Sequence, residues 1–144
     1  MAGTEATDAL TVYFTLLKAD TTLQAFIGQK WYKDVAQTAP GSSPPWPFGI
    51  GQVQAATDIQ FLSARRVGAD TLLMLKVIGL DGDFTATLRP AYRRVDALVQ
   101  GTSGSSSDVL IIGKAVREQL LDYSEIVNGQ VIRHLGGVYR VLAQ

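Results

Sequence analysis

The chain contains no cysteine. That excludes disulfides, thiolate metal centres and thiol nucleophiles together, and it gives no sign of an oxidising compartment. Histidine occurs once, as His134, and a catalytic or metal-bound imidazole needs further partners. A surplus of basic charge is also missing, because 13 Lys and Arg are matched by 13 Asp and Glu. Tight DNA binding draws on released counterions and normally shows such a surplus, so nothing here supports it. No apolar run approaches the ~18–20 residues of a membrane span. The opening "MAGTEATDAL" lacks the positive region and apolar core of a signal peptide. The sequence therefore reads as a soluble protein made and used in cytoplasm, with no membrane partner.

What is present suits one domain spanning 1–144. A chain of this size can bury about 68–70% of its unfolded surface and needs no covalent staple. Residues 5–19 predict a helix, with Leu10, Tyr13, Phe14 and Leu17 on one stripe. Asp20 then caps a short turn that ends at Gly28. "KWYKDVA" reads as a first strand, and the proline-rich 37–47 as irregular chain. Strands follow at "FGIGQVQAA" and "TLLMLKVIGL", separated by the polar stretch 57–70. A second helix over 87–100 carries Leu88, Ala91, Tyr92, Val95, Leu98 and Val99 on its apolar side, with Thr87 as cap. After the flexible 101–108 link come a strand at 109–121, an Asn128-Gly129 hairpin turn and a last strand, "GVYRVLA". The order helix, three strands, helix, two strands predicts an α+β fold. It is a mostly antiparallel sheet of about five strands with two main helices on one face.

No motif carries chemistry. His134 lacks a G-x-S-x-G elbow or any ligand spacing around it, and reads as structural or interfacial, introducing the final strand. Asp81 and Asp83 form a D-G-D pair without the rest of a calcium loop, and read as a polar turn. "GIG" at 49–51 and "GKA" at 113–115 lack phosphate-loop context and read as places where backbones approach closely. No catalytic residue, cofactor or metal is expected. Arg65, Arg66, Arg89, Arg93 and Arg94 are the basic clusters, either contacts to DNA or an acidic partner or simply solvated surface. Tryptophan and arginine are enriched at protein–protein hot spots. Trp46, among prolines, either plugs the domain's own core or meets a partner. Phe61 and Leu62, beside Arg65 and Arg66 in a polar stretch, are expected to meet a partner. These five residues, Trp46, Phe61, Leu62, Arg65 and Arg66, are the candidate interface.

The order of segments adds a resemblance. "LLKADTTLQAFIG", "KWYKDVA", "PWPFGIGQV", "TLLMLKVIGLDGD", "ATLRPAYRRVDALVQG" and "RHLGGVYRVLAQ" follow one another from about residue 8 to 144. This arrangement resembles the tail-completion, or tail-terminator, family of long-tailed bacteriophages. It is carried by L-x-x-F-I-G at 23–28, P-F-x-I-G at 47–51 and the glycine-led last strand. The 101–108 link and the proline-rich loop are longer than the family's connections.

The resemblance implies a non-enzymatic virion protein at the tail–neck junction, assembled in the host cytoplasm. It implies a self-assembled ring, typically a hexamer, on the last ring of the tail tube. Such a ring stops tube growth, meets the tail tube protein and joins the head through a head-completion or neck protein. DNA passes through its lumen without specific binding, which neutral charge permits. A closed ring needs a heterologous contact, and the arm at 56–69 and the loop at 40–47 are expected to make it. The rivals are another neck component, such as a head-completion protein, and a small ligand-binding α+β enzyme using His134 or Asp81.

Overall fold

The structure, a computed structural model, describes residues 4–36, 46–60, 66–101 and 111–144. The first helix, α1 (Glu5–Ala19), has the expected bounds and buries Ala9, Leu10, Tyr13 and Leu17. Asp20 then accepts the Leu23 N–H at 2.9 Å, which starts α2 (Thr21–Ile27) by satisfying an orphan donor of its first turn. Gly28 ends α2 with a φ of 63°, a conformation that costs other residues more.

Five strands form one sheet: β1 (Trp31–Lys33), β2 (Phe48–Gln60), β3 (Arg66–Leu80), β4 (Ile111–Val127) and β5 (Gln130–Ala143). Their spatial order is β1-β2-β3-β5-β4. The short β1 runs parallel to β2, and the other pairings are antiparallel. The fold is α+β, as the sequence predicts. A 3₁₀ turn (Asp81–Asp83) and a π turn (Phe84–Leu88) lead into α3 (Arg89–Gly101).

Alternation in the strands separates two faces. Leu73, Leu75 and Val77 of β3, with Leu135, Tyr139 and Val141 of β5, point toward the helices. Helix α1 lies over β2 and β3, α3 over β4 and β5, and α2 packs beside α3. Full burial of a side chain such as Leu75 stabilises by roughly 1.5–3 kcal/mol, so this layer supplies most of the core. Phe48, Ile50, Met74, Ile78 and Ile132 occupy the opposite face and form a smaller cluster with Tyr32, Ala36 and Trp46 at its border. Among the described residues no helix packs on that face.

Glycines create room for rings in this packing. A Cβ on Gly49 would strike the Trp31 ring at 2.4 Å, and one on Gly51 would strike Phe14 at 2.4 Å. The backbones of β1 and β3 flank GIG, as the sequence suggests, and the missing Cβ atoms also leave room for two aromatic rings.

The structure corrects four expectations. Much of the polar stretch 57–70 is strand, because β2 runs on to Gln60 and β3 begins at Arg66. On the β2 side, Thr57 to Ile59 are exposed on both faces, while antiparallel pairing needs only the backbone. The chain from 111 to 143 is a single hairpin of 17- and 14-residue strands, turned at Asn128 (φ 50°) and Gly129 (φ 78°). His134 consequently sits inside β5 and does not introduce it. Thr87 is no cap either, since the π turn already begins at Phe84, with the Arg89 N–H bonded to the Phe84 carbonyl. Pro90 follows at once and has no N–H to continue an ordinary ladder. The loop at 40–45 and the link from 102 onward lie outside the described residues.

Candidate functional site

The open edges of the sheet stand out first. β1 pairs with β2 only at Gly49–Gly51, so residues 52–60 of β2 have β3 on one side and, among the described residues, nothing on the other. Gln54 to Ile59 form an unbroken exposed run. Because strand neighbours point to opposite faces, such a run means that neither face is covered. β4 forms the other edge and pairs only with β5. Between Val116 and Val127 every residue but Leu121 is exposed.

Apolar exposure is concentrated on the same hairpin. Of nine large hydrophobic residues exposed among those described, seven lie on β4 or β5. Ile126 is 77% exposed, Val116 59% and Leu120 54%. Large exposed apolar patches on soluble proteins mark binding surfaces, and a long unprotected edge strand is a template for pairing.

On the helix-free face, His134 is buried and its Nε2 lies 2.7 Å from Glu125 Oε1. Its ring stacks on Tyr123 at 4.4 Å between centroids, and Lys76 Nζ donates to the Tyr123 hydroxyl at 2.8 Å. Burial lowers the imidazole's affinity for a proton, more than the Glu125 contact raises it, and nearby Lys76 lowers it further. The ring is thus a cross-strand packing element between β4 and β5, held in its neutral form. Close by, Arg140 is gripped by Glu118 and by Asp70 at 2.7 Å, tying β5 to β4 and β3.

A second polar group lies under α3. Tyr139 is fully buried and donates to Asp96 Oδ1 at 2.7 Å, which leaves its oxygen to accept from the Tyr92 hydroxyl at 2.8 Å. Arg117 donates to the Tyr92 oxygen at 3.3 Å and meets Asp96 at 3.4 Å, closing a circuit of four side chains. A Cβ on Gly137 would lie 2.5 Å from the Tyr92 hydroxyl, so this glycine makes the circuit possible. The arrangement locks α3 to β4 and β5, and every hydroxyl in it is engaged.

Of the five sequence-predicted interface residues, only Trp46 and Arg66 lie among the described ones. Trp46 stacks on Phe48 at 5.0 Å and borders the smaller cluster, which favours its place in the domain's own packing. Arg66 begins β3, while Phe61, Leu62 and Arg65 lie outside the described residues. Arg94 reaches Asp20 at 2.7 Å and so joins α3 to the α2 cap, whereas Arg89 and Arg93 are exposed. Asp81 pairs with Arg133 at 3.4 Å, and no metal-holding group of His, Asp and Glu occurs among the described residues. Sequence reasoning passed over the outer edge of β4. Its signal was there: "VREQLLDYSEIV" has no proline and alternates poorly, as a strand exposed on both faces would.

No family model and no curated protein matches the chain. Solved structures do share its fold. A chain from the virion of a native gene transfer agent particle superposes with a TM-score of 0.63 at 19% identity, covering 99% of this chain and 97% of that one. A second solved structure gives a TM-score of 0.54 at 14% identity, over 93% and 94% of the two chains. At these identities the likeness establishes the fold across the whole length of the chain.

Proposed function

We propose that this chain is a structural component of a phage-like virion, acting by assembly and not by catalysis. Its particular role is that of the tail terminator: a ring of copies, six in the family it resembles, seated on the end of the tail tube. There it stops tube growth and presents the surface on which the DNA-filled head docks. The observation that carries this reading is the sheet left open at both edges among the described residues, with apolar residues exposed along β4 and β5. A ring is built from a patch on each copy meeting a different patch on the next, and one sheet with two distinct open edges provides such a pair. The full-length likeness to a gene transfer agent virion chain supports the same class. Absence of net charge suits a lumen through which DNA slides.

Tail length tests the role. Particles made without this protein should carry overlong tubes in electron micrographs. Tails of normal length without heads would instead indicate a head-completion protein, and normal particles would end the proposal. The double variant Phe61→Ala with Arg66→Ala should fold and yet fail to assemble on tubes, and unchanged tail lengths would count against a contact there. A His134→Ala variant should assemble normally, and a catalytic imidazole would not allow normal particles.

A further inference from the structure

We infer that the outer edge of β4 in one copy pairs with the part of β2 beyond β1, residues 52–60, in the next, so that the sheets join into one continuous band. This rests on the ring reading and names its seam. Directions in the sheet come first. β2 is antiparallel to β3, β3 to β5 and β5 to β4, so β2 and β4 run oppositely. Copies related by rotation about an axis along the strands therefore bring β4 and the neighbour's β2 together antiparallel. The hydrogen-bond ladder then crosses the seam without reversing its pattern.

The lengths also suit each other. β4 has irregularities between Ile112 and Val116 and between Arg117 and Gln119, after which Gln119 to Val127 keep an unbroken register with β5. That stretch is as long as the part of β2 that β1 leaves uncovered, of which Ala55 to Ile59 keep an unbroken register with β3. Exposure of both faces at both edges means that a neighbouring strand would have room for side chains above and below. Leu120 and Ile126, on the helix-bearing face, would gain apolar cover there from Val53 and Ala56 on the same face of β2.

Charge decides between this seam and self-pairing of β4. β4 carries Glu118, Asp122 and Glu125, whose partners Arg140, Arg133 and the neutral His134 stand one strand inward on β5. Two copies of β4 side by side would set these carboxylates facing one another, which is unfavourable. The matching stretch of β2, "QVQAATDIQ", carries a single acid, Asp58. Self-pairing would also leave residues 52–60 open in both copies.

The cysteine-free chain permits a direct test. Ala56→Cys is combined, one at a time, with Leu120→Cys, Asp122→Cys, Ser124→Cys and Ile126→Cys, all on the helix-bearing face of their strands, and the purified proteins are oxidised and run without reductant. At least one pair should give a ladder that passes dimer and stops at the closed ring, while each single-cysteine protein stays uncross-linked. Dimers from a single cysteine in β4 would show self-pairing and overturn the inference. So would the absence of any product beyond dimer in all four pairs. A separate variant, Leu120→Lys with Ile126→Lys, should melt like the parent protein but sediment as a monomer; an intact oligomer would likewise overturn it. A ring that forms by other contacts leaves the terminator role standing and removes this seam. A cross-linked ring from particles whose tails are normal without the protein keeps the seam and removes the role.

Discussion

Replacing Tyr139 by Phe removes one oxygen from a fully buried polar group. That hydroxyl donates to Asp96 at 2.7 Å and accepts from Tyr92 at 2.8 Å, and the residue is 0% exposed. A hydrogen bond to a charged acceptor contributes about 1.5–3 kcal/mol, and an unpaired buried hydroxyl costs about 1–3 kcal/mol. Asp96 keeps Gln100 at 2.7 Å and Arg117 at 3.4 Å, and Tyr92 keeps Arg117. These survivors put the expected loss near the lower end, about 2 kcal/mol. A domain of this size loses roughly 3 °C of melting temperature per kcal/mol, so the variant should melt about 6 °C lower. Tyr92→Phe leaves the Tyr139–Asp96 bond in place and should cost less, about 1 kcal/mol. The double variant should then lose less than the sum, because the pair share a bond. Circular dichroism melts at fixed protein concentration measure all three, since assembly makes the midpoint concentration-dependent. A Tyr139→Phe protein within about 0.5 kcal/mol of the parent would refute the circuit as a stabilising unit.

Gly136→Ala should be more damaging still, because its Cβ would lie 2.3 Å from Lys76 Cβ and 2.5 Å from the Leu75 carbonyl. Backbone cannot step aside there, so we expect a loss of about 1–3 kcal/mol or no soluble protein, read from a denaturant titration. His134, whose proton affinity burial lowers from the ordinary 6.5, makes stability pH-dependent. The unfolded chain takes up a proton as pH falls through 6.5 while the folded ring resists, so this contribution is present above that value and is lost below it. His134→Gln should flatten the stability slope between about pH 7 and 5.5, and an unchanged slope would remove the imidazole as its source. Asp20→Ala should cost about 1 kcal/mol through the lost α2 cap, and Asp20→Asn less, because its amide oxygen can still accept the Leu23 N–H. Equal losses in thermal melts would point to the Arg94 contact instead.

Local signals in the sequence carried far. Glu5–Ala19 was readable to its ends because one apolar stripe runs through it and Asp20 interrupts it with a cap. Asn128-Gly129 announced its turn because both residues take positive φ. The parallel pairing of β1 was not readable, since a three-residue strand is placed by the path of the chain around it. Nor was the true extent of β2 and β3, whose polar outer halves look like loop to any pattern that equates strand with alternation. The circuit under α3 joins Tyr92 to Tyr139 across 47 residues, a distance at which spacing says nothing. Only Gly137, two places before a tyrosine on an otherwise apolar side, hinted at it. Of the five interface residues, Trp46 turned out to lie against Phe48, and three fall outside the described chain. The edges that now carry the functional reading were hidden because an edge is a property of topology.

The two tryptophans have fallen on opposite sides of the sheet. Trp31 is sealed against Phe14 in the helical layer, and Trp46 lies on Phe48 at the border of the bare face. Each indole is a native fluorophore whose emission reddens when water reaches it. Single-tryptophan versions of the protein would therefore let spectroscopy follow each layer by itself. The bare side, thinly covered, should report wetting first.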